Sequence, residues 1–143
     1  MKSLIVSAAV IMDQGKILLT QRREDAPHGL LWEFPGGKVN EDEEPREALR
    51  RELREELDIE AEVGEMAEVV FYFYPERPVL LLTYRCRVKA GQPVPLACRD
   101  LRWVKLGELE RFTMLPADGP IRERLMKTRE EPGVQLEKSD GKR

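Results

Sequence analysis

Histidine, serine and cysteine are scarce in this chain, and each scarcity removes a class of chemistry. His28 is the sole histidine, and the serines are Ser3, Ser7 and Ser139. A serine–histidine hydrolase has little here to be built from. The two cysteines, Cys86 and Cys98, have no C-x-x-C spacing and no neighbouring histidine. That pattern argues against a zinc site and fits reduced thiols in a cytoplasmic protein better than a disulfide. No apolar run reaches the ~20 residues of a membrane-spanning helix. The opening MKSLIVSAAVIM raises a signal peptide, but it passes directly into DQGKILLTQRR, a turn and a second strand, with no cleavage cue. A basic excess is also missing: 24 Lys and Arg face 27 Asp and Glu, for a net charge of −3. Direct nucleic-acid binding is therefore not expected. An acidic protein can still take phosphates through a metal ion, so a small anionic partner stays open. Nothing in the sequence sets an oligomeric state.

What is present suits one folded domain. The 143 residues are 41% hydrophobic and 36% charged, enough for a single core under a hydrated surface. Strands are expected over about residues 4–12 and 16–21, joined by a turn at Gly15. The stretch RREDAPHGLLWEFPGGKV is punctuated by proline and glycine and reads as a loop. His28 lies in it and is expected at the rim of any site. Pro45 suits a first helical position, with the helix running to about Leu57. EVVFYFY and PVLLLTYRCRV flank PER as a long antiparallel pair, and LRWVKL reads as a short strand. A last helix is expected in DGPIRERLMK, with Asp118 as its cap. The fold class is therefore α+β, with a mixed β-sheet. The domain is expected over residues 1–128, with 129–143 a charged, disordered tail.

RRELREEL, residues 50–57, sets Glu52, Glu55 and Glu56 within little more than one helical turn. At ~100° per residue from Ala48, the apolar arc runs through Leu49 and Leu53 to Leu57. Glu52 and Glu56 fall inside that arc and Glu55 just outside it, while Arg50, Arg51 and Arg54 lie opposite. An ordinary solvated helix with Glu47–Arg51 and Arg51–Glu55 pairs accounts for Glu47 and Glu55, but not for Glu52 and Glu56. Partly buried carboxylates without a cation on their face cost several kcal/mol. A bound divalent ion would offset that cost, and oxygen ligands select Mg²⁺ or Mn²⁺ over zinc. Gly36 and Gly37 allow close backbone approach, and the Gly37 carbonyl offers a further oxygen. Glu43 can fold back over the helix start. The chemistry implied is metal-assisted displacement at phosphorus.

The whole segment GKVNEDEEPREALRRELREELDI resembles the Nudix box, G-x5-E-x7-R-E-U-x-E-E-x-G-U, where U is aliphatic. Gly37, Glu43, Arg51, Glu52, Leu53, Glu55, Glu56 and Ile59 match; Asp58 replaces the box glycine. That glycine ends the helix in a left-handed conformation, which Asp tolerates better than most residues. LWEFPGGKV and LPADGPI are similar to segments of the MutT-like branch, the nucleoside triphosphate pyrophosphohydrolases. The resemblance implies a Nudix fold, a mixed sheet between helices (α/β/α). It implies Mg²⁺ on Glu52, Glu55, Glu56 and the Gly37 carbonyl, with Arg51 orienting a box glutamate and Glu43 bracing the loop. It further implies Arg22 at phosphate, Phe34 lining a base pocket and Asp118 reading the base where MutT has asparagine. An ionised Asp118 accepts from N–H-rich edges such as those of guanine or cytosine; protonated, it also donates. The branch commonly carries a glutamate where this chain has Ala97. Asp100 or a box glutamate such as Glu55 could substitute, and the general base stays open. Release of pyrophosphate would separate this reading from hydrolysis of ADP-ribose or a dinucleoside polyphosphate, and turnover itself from a non-catalytic base-recognition module.

Overall fold

A computed structural model describes residues 2–130. β1 (Leu4–Asp13) and β2 (Lys16–Gln21) form a hairpin closed by Gln14 and Gly15, both at positive φ (52° and 77°). That is the two-residue turn whose twist matches its strands. Two short strands follow, β3 (Trp32–Glu33) and β4 (Gly36–Lys38), then α1 (Pro45–Leu57). A long hairpin, β5 (Glu60–Phe73) and β6 (Pro78–Ala90), precedes β7 (Asp100–Lys105). Two 3-10 turns, Leu106–Arg111 and Pro116–Asp118, lead into α2 (Gly119–Glu130). α2 thus continues into the segment expected as tail, and 131–143 lie outside the described residues. No described helix is long and apolar enough to cross a membrane.

The sheet runs β3-β2-β1-β6-β5, with β7 on β2 and β4 on β1. β1 and β6 are parallel and the other pairs antiparallel, so the sheet is mixed, as expected. β1 is buried on both faces, which is why it reads as one apolar run. Ala9, Ile11 and Leu18 pack on Leu49, Leu53 and Leu57 of α1. Ala8, Val10 and Leu19 share the opposite core with Ile121 and Leu125 of α2. The sheet therefore lies between helices. One edge of β1 is shared by β4, paired at Val6–Ala8, and β2, paired at Met12 and Asp13. Between them the Ala9 N–H donates to the Pro35 carbonyl at 2.8 Å.

Several boundaries differ from the sequence pattern for identifiable reasons. β5 starts directly after α1, but register shifts between Val63 and Met66 and between Met66 and Glu68 break its alternation. β3 and β4 are too short to show a period inside a proline- and glycine-rich loop. Asp118 closes the second 3-10 turn, and its Oδ2 accepts the Phe34 N–H at 3.1 Å. The expected cap is thus a cross-link to a residue far away in sequence.

Glu44, one residue before Pro45, caps α1 by accepting from the Arg46 and Glu47 N–H groups (3.1 and 3.2 Å). At the other end Asp58 is left-handed (φ 59°, ψ 39°), and its N–H donates to the Arg54 carbonyl. The sequence departure at this position therefore keeps the helix stop. Asp58→Gly is expected to raise unfolding stability by about 0.5–1 kcal/mol, since glycine pays no left-handed penalty. Denaturant titration checks this, and an unchanged or lower stability would contradict it.

Candidate active site

Arg51 organises the carboxylates around the start and middle of α1. Its Nε and Nη2 donate to the two Glu43 oxygens at 2.6 and 2.9 Å. Nη1 lies 3.2 Å from both Glu52 Oε2 and Glu55 Oε1, and Nη2 also donates to the Lys38 carbonyl at 3.1 Å. The helical wheel sets Arg51 about 100° away from Glu52 and outside the apolar arc, but its long side chain wraps back to it. The expectation that no cation serves that face is thereby corrected. Glu47 pairs with Arg50 at 2.5 Å, not with Arg51. Arg51 is held firmly charged by Glu43 and Glu52.

Gly37 lies flat against this network. A Cβ there would stand 2.3 Å from Glu52 Cδ, so a side chain and the Glu52 carboxyl cannot share the space. Glu56 turns into a cleft of about 600 Å³ lined also by Gly36, Gly37, Lys38, Arg22, Glu33, Phe34 and Asp118. Burial raises its carboxyl to about 8, with the charges of Glu33 and Glu52 adding to the rise and a Gly36 hydrogen bond opposing it. Its Oε1 is buried and has no hydrogen-bond partner among the described residues. Burial also raises Glu52, against the pull of Arg51.

Glu33 is a site residue that the sequence reading missed. It sits on β3 beside the buried Phe34, and burial pushes it up to about 7 against the Arg22 ion pair. A lone carboxylate inside the apolar run LLWEF was the available signal. Asp118 is buried and held well above the usual carboxylate range, by burial and then by Glu33. Arg22, expected at phosphate, spends Nη1 on Glu33 at 3.2 Å and Nε on the Pro27 carbonyl at 2.8 Å. Lys38 and Arg77 also line the cleft; neither stood out in the sequence.

The donor set fits a hard cation. Glu56 offers an orphaned buried oxygen, Glu52 offers a carboxyl pressed against Gly37 and paired with Arg51 at 3.2 Å, and burial raises both. Such oxygens suit Mg²⁺ or Mn²⁺. Glu55 is set apart: its side chain is 61% exposed and turned toward Arg51. Among the described residues no three acidic, histidine or cysteine side chains converge on one point as they stand.

The NUDIX domain model matches residues 1–125. The chain belongs to the Nudix family. It is 40% identical over 129 residues to a CTP pyrophosphohydrolase of Escherichia coli K12, covering 90% of this chain and 96% of the relative. It is 34% identical over 126 residues to an 8-oxo-dGTP diphosphatase of Haemophilus influenzae, covering 87% and 93%. The solution structure of the E. coli ORF135 protein matches with a TM-score of 0.78 and 39% identity, over 94% of this chain and 96% of that one.

As a Nudix protein the chain has its second departure at Ala97. The Ala97 N–H lies 3.4 Å from the Glu56 backbone carbonyl, and Ala97 itself is exposed and outside the cleft lining. Asp100 does not fill the gap: its Oδ1 accepts from its neighbour Leu101, its Oδ2 pairs with Arg102, and it is not among the cleft-lining residues. Glu33 reaches the cleft instead.

Glu33 and Glu56 keep protons in the folded, metal-free protein at pH values where the unfolded chain, near 4.5, has lost them. The native state then binds more protons, so its stability falls as pH rises from about 4.5 to about 8. Glu43, Glu62 and Glu76 are lowered, and their opposite contribution is complete about one pH unit into that window. In chelator, the thermal midpoint should fall across it, and added Mg²⁺ should restore part of the loss. A flat or rising midpoint would contradict the burial.

Proposed function

We propose that the chain hydrolyses nucleoside or deoxynucleoside triphosphates to the monophosphate and pyrophosphate, clearing oxidised or otherwise modified nucleotides. The observation that carries this reading is one cleft lined by two unlike sets of groups. Phe34 and Asp118 are joined by a 3.1 Å hydrogen bond, and Glu56 presents a buried oxygen without a partner among the described residues. The first set suits a base and the second a phosphate chain with its cation.

Glu52, Glu56 and the Gly37 carbonyl would hold Mg²⁺ or Mn²⁺, with Glu55 in reach through water. Bound there, the ion would neutralise diphosphate oxygens and acidify the attacking water. Arg51 keeps Glu52 in place, and Glu43 ties Arg51 to the loop before α1. Arg22 and Lys38 would meet the phosphates. Phe34 would give the base an apolar wall. A protonated Asp118 donates and accepts side by side, which suits the adjacent donor and acceptor of cytosine's N4–H and N3 or guanine's N1–H and O6. The relatives named for CTP and for 8-oxo-dGTP agree with both. A cytoplasmic setting fits the free, buried Cys86 and Cys98.

A Mg²⁺-dependent screen of normal, oxidised and methylated nucleoside triphosphates, with ADP-ribose alongside, tests the proposal. Pyrophosphate and a nucleoside monophosphate are the expected products. Glu56→Gln should cost more than about a hundredfold in turnover, beyond the 10–100-fold typical of groups that only support a metal ligand. Orthophosphate as product, ADP-ribose as the preferred substrate, or unchanged turnover in Glu56→Gln would contradict it.

A further inference from the structure

The segment between β2 and β3, residues 22–31, is held together as a unit. Arg22 donates from Nε to the Pro27 carbonyl at 2.8 Å, Leu30 N–H to the Arg22 carbonyl at 3.1 Å, and Ala26 N–H to the Arg23 carbonyl at 3.1 Å. Gly29 packs so tightly that a Cβ would meet the Glu24 carbonyl oxygen at 2.6 Å. His28 and Leu30 both take left-handed φ (56° and 69°), a conformation such residues adopt only when their surroundings hold them there.

This loop touches the turn between β5 and β6. The His28 ring centroid lies 5.1 Å from that of Tyr74, and His28 Nε2 is 3.4 Å from Glu76 Oε1. β3 and β5 stand at opposite ends of the sheet order, so the two connections meet from opposite edges. His28, Tyr74 and Glu76 all line the cleft, as does Pro27. On its other side the Tyr74 hydroxyl accepts the Ala117 N–H at 3.0 Å, next to Asp118. None of these three side chains has a part in the hydrolysis described above.

We propose that His28, Tyr74 and Glu76 form a latch across the mouth of the nucleotide cleft, and that Tyr74 passes its closed position to the Ala117–Asp118 segment that reads the base. The inference rests on the cleft being the nucleotide site. The division of strength suits a latch. The loop is pinned internally by hydrogen bonds to its own backbone, whereas it meets the turn through one ring pair and one exposed, long polar contact between His28 and Glu76, both weak. The loop therefore swings as a body when the latch parts. Opening must precede both entry and exit, so the open fraction scales both rates and largely cancels from the affinity.

Stopped-flow binding of a nonhydrolysable nucleoside triphosphate and of a nucleoside monophosphate tests this. His28→Ala should raise association and dissociation rates together by about three- to tenfold, the size that one ring contact and one exposed polar contact can supply, with Kd moving much less. Glu76→Gln should act in the same direction more weakly, and the double variant should not exceed His28→Ala, because both break the same contact. Tyr74→Phe keeps the ring but loses the Ala117 acceptor, so it should change the ratio of Kd values for cytosine and guanine nucleotides. An unchanged association rate in His28→Ala would overturn the latch, as would faster dissociation alone or additive effects of the two variants. An unaltered base ratio in Tyr74→Phe would remove the link to Asp118. Failure of the wild-type protein to bind any nucleotide would instead overturn the proposed function, a result distinct from all of these.

Discussion

Carboxyl groups buried with too little positive charge beside them set the terms for this molecule. Glu33, Glu56 and Asp118 are all raised by the same leading cause, burial, and Glu33 pushes the other two further. Arg22 is the cation that acts on all three. The fold holds them in place. Glu56 cannot turn away while Leu53 and Leu57 of its helix are fully buried. Glu33 is paired through β3 to Thr20 of β2, and Asp118 is fixed on the Phe34 N–H. Groups so placed either keep a proton or acquire a cation. The proposed site, with a metal at Glu56 and a polar base at Asp118, would use both outcomes.

Two arginines divide the remaining work. Arg51 lies outside the cleft and gathers Glu43, Glu52 and Glu55 with the Lys38 carbonyl, which fixes the loop before α1 against the helix. Arg22 lies in the cleft and joins Glu33 to the following loop through Pro27. Exchange of either for lysine would lose the forked geometry that lets one cation reach several partners. Removal of Arg51 should loosen the metal end, and removal of Arg22 would leave three acids facing one another.

The parts legible in the sequence are those with a local signature. The arc of Ala48, Leu49, Leu53 and Leu57 is buried as its spacing implies, and Glu52 and Glu56 lie within it. Asp58 ends the helix in the conformation its box position requires. What was not legible depends on reach or on distant partners. A helical wheel locates a Cβ and not a guanidinium, so Arg51 was placed away from Glu52. The short chain before a glycine, LPAD, reads as a cap until the Phe34 N–H, remote in sequence, is brought against it. Glu33 shows its burial only once β3 pairs with β2, and the bulges of β5 hide its first half. The two departures differ in kind: Asp58 takes the geometry of the box glycine, whereas Ala97 lies outside the box, where the branch commonly carries a glutamate, and Glu33 and Glu56 line the cleft with Asp118.

Glu56 and its neighbours are protonated for want of a cation and give up those protons to one. Calorimetric titration of the chelated protein with Mg²⁺ at neutral pH, repeated in buffers of different ionisation enthalpy, reads this directly. Binding should release a substantial fraction of one proton per ion or more, a release that shrinks toward pH 9 and is diminished in Glu56→Gln. Binding with no proton release at pH 7, or no binding at all, would contradict it.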